Sequence, residues 1–185
     1  MKMKHALVIG GTGMLAPVSL WLLDQGYRVS VIGRNPNRLE RLKEKSSHSD
    51  LTPISVDYRN IGELEKRIAL SIQKNGMFDL IVAWVRTDAE KALKNTIQLN
   101  TVPGHTWELI HILGSGRNLA ETKKKLPIPD DCIYRQVQLG FKIEGNQSRW
   151  LTNEEISSGV IDGIHNSDAV NIVGMVGPSE KRPLA

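Results

Sequence analysis

One stretch near the start of the chain restricts the fold more than any other: Gly10-Gly11-Thr12-Gly13-Met14-Leu15-Ala16. It closes a short apolar run from Lys4 to Gly10. It opens a segment, Gly13 to Gln25, in which Leu15, Val18, Trp21 and Leu22 fall on one helical face before Gly26. A glycine-rich turn from a buried strand into a helix is the layout of a dinucleotide-binding loop. Gly10 allows the tight turn, Gly13 lets backbone approach a pyrophosphate with no Cβ in the way, and Ala16 lets helix and strand pack closely. The helix then offers unpaired amides and the positive end of its dipole to phosphates. The Gly-Lys-Ser/Thr of a P-loop is missing, which removes that class of ATPase. On pattern alone, the glycines could also serve a tight turn and nothing more.

The rest of the chain continues the alternation. Strands are predicted at Arg28–Gly33, Ile54–Val56, Asp79–Val85, Trp107–Leu113, Cys132–Phe141 and Ala169–Met175. Helices are predicted from Pro36 to Lys45, Asn60 to Lys74, Asp88 to Leu99 and Asn153 to Ile164. Repeated strand–helix–strand units imply right-handed crossovers and an α/β, doubly wound parallel sheet of about seven strands with helices on both faces. No linker or repeat divides the 185 residues, so a single domain over 1–185 is expected, with 178–185 as a frayed tail.

The end of the second strand is the next informative place, because dinucleotide folds read the ribose there. An acidic residue would select NAD; the chain has Gly33-Arg34-Asn35-Pro36-Asn37-Arg38. Arg34 can meet a 2′-phosphate with forked, charge-assisted hydrogen bonds, with Arg38 one turn later as a second charge. This points to NADP as cofactor, against the alternative of a solvated arginine at a strand end. Asp57, after the third strand, is placed either to accept from an adenine amino group or to cap the next helix. Ala83, Trp84 and Val85 end the fourth strand along the ribose and nicotinamide path, where Trp84 either stacks or packs.

Composition is that of an ordinary globular protein, 40% hydrophobic and 24% charged. No apolar run approaches the ~20 residues of a membrane span, and the opening Met1-Lys2-Met3-Lys4-His5 lacks the pattern of a secretory signal. A cytoplasmic protein is expected. Cys132 is the only cysteine and the five histidines are scattered, so neither a disulfide nor a metal site is expected. The net charge of +4 suits an anionic ligand. Lys123-Lys124-Lys125 beside Pro127 and Pro129 reads as a solvated loop, without the aromatic interleaving of nucleic-acid binders.

Over nearly its whole length the sequence resembles the short-chain dehydrogenase/reductase family, a Rossmann-fold group. The resemblance rests on Gly10-Gly11-Thr12-Gly13-Met14-Leu15-Ala16, on Gly33-Arg34-Asn35 and on Val56-Asp57. Val137-Gln138-Leu139-Gly140-Phe141 is similar to the family's sixth strand and terminal turn, with Leu139 in place of proline. Thr152 to Ile156 and Val170 to Gly174 resemble its last helix and strand. The resemblance implies cofactor contacts from Gly10, Gly11, Thr12, Gly13, Met14, Leu15, Arg34, Asn35, Arg38, Asp57, Ala83, Trp84, Val85 and Ser115. It also implies a small-molecule substrate and a homo-oligomer.

The departure lies in the middle. Ser115 matches the position of the family's catalytic serine, but no Tyr-x-x-x-Lys follows it; Tyr134 is followed four residues on by Gln138. Gly116 to Asp131 is too short and proline-bearing for the long helix that carries that motif and the usual dimer contact. A trimmed segment is expected, with the last strand and helix as the alternative interface. Ser115 is then either catalytic or a turn residue. Three functions remain: a trimmed NADPH-dependent oxidoreductase acting on a small carbonyl or related acceptor, a non-catalytic NADP(H)-responsive regulatory module, or a structural protein with a vestigial loop, in which Arg34 would be incidental.

Overall fold

The computed structural model describes residues 1–47 and 50–184. His48, one of the scattered histidines, and Ala185, the last residue of the tail, lie outside them. The unbroken apolar run near the start forms β1 (His5–Ile9), buried at every position, as a strand covered on both faces must be. Strands β2 (Arg28–Gly33), β3 (Leu51–Ser55), β4 (Leu80–Trp84), β5 (Trp107–Gly114) and β6 (Cys132–Leu139) follow. A two-stranded hairpin, β7 (Phe141–Glu144) and β8 (Gln147–Trp150), precedes the last strand, β9 (Val170–Val173). Seven strands form one parallel sheet in the order β3-β2-β1-β4-β5-β6-β9. The strand order reverses between β1 and β4, which opens a ligand crevice above the carboxyl ends of those strands.

Helices α1 (Ala16–Asp24), α2 (Pro36–Lys45), α3 (Ile61–Asn75), α4 (Glu90–Leu99), α5 (Leu119–Lys124) and α6 (Asn153–His165) complete the chain. Val18 and Leu22 of α1, Leu39 of α2 and Val160 of α6 cover one face of the sheet; Trp21 is only half-buried. Leu64 and Ile68 of α3, and Leu93 and Ile97 of α4, cover the other face. On α6, Gly159 and Gly163 face Val173 and Val137 with no room for a Cβ, so two glycines one turn apart let the helix lie close against β9 and β6. No helix of the described residues is long and apolar enough to cross a membrane.

Three expectations need correction. The third strand begins at Leu51 rather than Ile54 and contains Pro53, which an edge strand paired only with β2 tolerates. The sixth strand stops at Leu139, because the backbone of Met175 crosses so close to Gly140 that no side chain fits there; Phe141 then starts the hairpin. The tail is not frayed over 178–184. It forms a short 3-10 turn at Ser179–Lys181, and Arg182 Nη2 donates to the carbonyl of Ser115 at 2.8 Å. The shortened segment after β5 is a single six-residue helix, α5, whose Lys123 and Lys124 are exposed in its last turn and complement its dipole.

Candidate functional site

The glycine turn occupies residues 10–15, and α1 begins only at Ala16. Gly10 has φ +84°, and a Cβ on it would stand 3.2 Å from the carbonyl oxygen of Trp84. Gly11 is buried, and a Cβ there would stand 2.7 Å from Val31 Cγ1 and 2.9 Å from Val8 Cγ1. Gly13 differs: nothing lies within 4 Å of the place a Cβ would take, so its backbone faces open space. The three glycines thus serve a turn, a close approach and an opening.

Helix α1 starts without a side-chain cap and without an acidic residue in its first turn. The amides of Thr12, Gly13, Met14 and Leu15 hold no hydrogen bond with other described residues. Uncapped donors at a helix start are the usual receptor for an anion. From α6, the Ser157 hydroxyl donates to the Met14 carbonyl and ties the turn to a helix far along the chain.

On one side of the turn, the Thr12 side chain sits on Gly33, where a Cβ would stand 2.7 Å from Thr12 Cγ2. Thr12, Arg34, Asn35 and Arg38 line an open cleft of about 590 Å³. Arg34 and Arg38 are exposed and make no ion pair among the described residues. Asn35 Oδ1 accepts from the amides of Asn37 (3.0 Å) and Arg38 (3.2 Å), so it caps α2 and fixes where Arg38 leaves the helix. Asp57 lies close enough for Arg34 to act on it electrostatically, but its direct partner is Arg59. Arg59 Nε and Nη2 grip the two carboxylate oxygens at 3.1 and 2.9 Å. Those bonds, then the Arg59 amide, hold the Asp57 carboxyl at about 2. Asp57 does not cap α3; Asn60 does.

On the other side, Ala83 is fully buried inside β4, while Trp84 and Val85 reach the carboxyl edge. Trp84, Val85, Ile112, Leu113, Gly114 and Arg117 line a second cleft, of about 570 Å³. Ser115 stands beside it after β5, its carbonyl accepting from Arg182 and Gln138. Tyr134 is not at this edge. It sits in β6 level with Leu109, two residues below His111 in register, accepting from Gln136 and bonded to His111 Nδ1 at 2.8 Å. Burial drives its phenol well above the ordinary value and lowers the His111 imidazole to about 4. Burial likewise pushes the Cys132 thiol up to about 12. No cluster of metal-ligating side chains exists among the described residues.

The two clefts flank the glycine turn at the ends of β2 and β4, the two neighbours of β1. The chain has the fold of the short-chain dehydrogenases/reductases. An actinorhodin polyketide ketoreductase variant, solved with NADPH, superposes with a TM-score of 0.68 over 93% of this chain and 96% of its own, at 14% identity. A short-chain dehydrogenase/reductase from Serratia marcescens gives 0.70 over 94% and 98%, at 16% identity. The bulky-bulky ketone specific alcohol dehydrogenase from Comamonas testosteroni gives 0.71 over 97% and 89%, at 12% identity. No protein-family model and no curated protein matches the sequence.

Residues that reasoning from sequence missed are Arg59, which grips Asp57, Ser157, which holds Met14, and Arg182, which reaches Ser115. An Asp-x-Arg spacing was visible for the first. Ser157 and Arg182 carry no local signal, because their contacts depend on how distant segments meet.

Proposed function

We propose that the chain is an NADP(H)-dependent oxidoreductase of small carbonyl or related acceptors. The observation that carries the reading is the glycine turn's row of amides, with the open space at Gly13 on one side and Arg34 and Arg38 beside it, all without partners among the described residues. In this reading the amides from Thr12 to Leu15 receive the pyrophosphate, helped by the α1 dipole. Arg34 and Arg38 receive the 2′-phosphate, while Asn35 keeps Arg38 in place. Asp57, held ionised by Arg59, accepts from the adenine amino group. Gly10 and Gly11 shape the turn and Thr12 braces it on Gly33. Trp84, Val85 and Ser115 border the nicotinamide end, while Ala83, buried inside β4, does not reach it. The likeness to a ketoreductase solved with NADPH supports the same assignment.

Bound NADPH supplies a hydride to the acceptor. The apolar wall of Trp84, Val85, Ile112 and Leu113 excludes water from one side of the acceptor. Tyr134 does not supply the proton, because it is below the edge and bonded to His111 and Gln136; Ser115 or solvent does. Turnover of NADPH by a panel of ketones, quinones and flavins tests the reading. Activity above that of a Gly13→Asp control is expected, and none above it would overturn catalysis.

The buried, engaged Tyr134 favours a second reading, an NADP(H)-responsive module that binds the cofactor without chemistry. It predicts tight NADPH binding, no turnover, and a change of oligomeric state or partner binding on adding NADPH.

A further inference from the structure

We propose that the cleft beside Trp84 takes a small planar molecule bearing an oxyanion, whose charge Arg182 receives. That the molecule is the hydride acceptor rests on the function proposed above; that it is an acid does not.

The cleft is of the size that holds small ligands. Trp84, Val85, Ile112 and Leu113 give it an apolar wall suited to a flat ring. Two guanidinium groups, Arg86 and Arg117, line it, a third, Arg182, stands behind Gly116, and their partners differ. Arg86 pairs with Asp88 at 3.3 Å, in solvent. Arg117 pairs with Glu90 at 2.7 Å and also donates to Thr122. Arg182 has no carboxylate among the described residues. Among the described residues the one acceptor of its guanidinium is the Ser115 carbonyl, and its buried Nε has no partner.

Arg135 shares the orphaned Nε but not the missing counter-charge. Arg135 has Glu108 and the carbonyls of Gly163, Ile164 and Asn166. Arg182 is half-buried and lacks such a carboxylate among the described residues, and a partly desolvated positive charge is costly to keep unless something negative completes it. Arg182 is also directed toward the cleft: Nη1 stands 3.5 Å from where a Cβ on Gly116 would be, and Gly116 lines the cleft. With no side chain at Gly116, nothing at that position separates the guanidinium from the bound molecule. The residue sits in a tail that folds back from β9 across the carboxyl edge of β5, so its charge reaches the site only through that fold-back.

Benzoate, phenyl phosphate and benzamide serve as probes, titrated into the full chain by tryptophan quenching and ligand-observed NMR. At least one of the two anions should bind about tenfold more tightly than benzamide, the worth of one charge-assisted contact. The tighter anion identifies the substrate as a carboxylate or a phosphate. The preference should vanish in Arg182→Gln and in Gly116→Leu, which covers Nη1, and persist in Lys74→Gln at the opposite edge of the sheet. Benzamide binding as tightly as both anions, or an anion preference unchanged in Arg182→Gln, would overturn the proposal. NADPH is titrated in parallel. Anion preference without NADPH binding leaves the acidic site standing and removes the cofactor reading; NADPH binding without anion preference removes only this proposal.

Discussion

The hydroxyl of Ser157, in the second turn of α6, donates to the carbonyl oxygen of Met14 in the glycine turn. One hydrogen bond thereby joins the loop proposed to hold phosphate to a helix that follows nearly all of the sheet. Helix α6 is itself anchored at its start: Thr152 and Glu155 form a reciprocal capping box, and Arg149 of β8 grips Glu155. The hairpin, α6 and the glycine turn therefore form one connected support.

Ser157→Ala should release the Met14 carbonyl. The stability loss is expected to be about 1 kcal/mol, that of one hydrogen bond, read from urea unfolding. NADPH affinity should fall several-fold because the amides of the turn lose their fixed direction.

Two glycine substitutions should separate packing from ligand space. Gly11→Ala places a Cβ 2.7 Å from Val31 Cγ1 and 2.9 Å from Val8 Cγ1. Overpacking of that kind costs about 1–3 kcal/mol. Gly13→Ala meets nothing within 4 Å and should leave the melting temperature unchanged while weakening NADPH binding. Calorimetric melting of both variants, with NADPH titration of the second, checks the pair.

Stability should fall as the solution is acidified. Burial holds the His111 imidazole at about 4, against 6.5 for the free side chain. Above 6.5 both folded and unfolded states are neutral at this residue, so its contribution is complete there. Between 6.5 and about 4 only the unfolded chain takes up the proton, and stability is lost. The loss is about 3 kcal/mol from this residue alone. His5, whose imidazole is also lowered by burial, adds in the same direction. Urea midpoints across this range should show the slope, and His111→Gln should flatten it.

Arg135→Met should be among the most damaging single changes outside the proposed site. The guanidinium closes the carboxyl end of α6 through Gly163, Ile164 and Asn166 and pairs with Glu108. Its loss leaves those carbonyls without their donor, at a cost of about 3 kcal/mol or more. Unfolding in urea measures it.

The first half of the fold was legible because its signals are local. Glycine loop, apolar run and helical face follow one another from β1 to β4, and neighbouring strands pair in the order in which the chain supplies them, apart from the reversal at β1. The hairpin was missed although Gly145-Asn146 is a turn signal, because Phe141 continues the apolar run of β6 without a break. Only the backbone of Met175, coming back from β9, forces the strand to end. The same holds for the site. Arg34, Arg38 and Trp84 follow strand ends that the sequence marks, whereas Ser157 and Arg182 arrive from elsewhere in the chain. The polar row His111, Tyr134, Gln136 and Gln138 was also hidden. It lies under the shortened α5 segment, where Gln136 donates to the carbonyl of Leu119 and Gln138 to those of Gly114, Ser115 and Arg117, a role that needs the sheet register to be known.

The most direct measurement is equilibrium titration of the chain with NADPH and NADH, followed by energy transfer from tryptophan to the nicotinamide. The account predicts tight NADPH binding, much weaker NADH binding, and a loss of about tenfold or more for NADPH in Arg34→Ala, as expected for a forked contact to a phosphate. Equal affinity for the two cofactors, unchanged in Arg34→Ala, would contradict the assignment of the β2 cleft to the 2′-phosphate. Binding of neither would contradict the cofactor reading altogether.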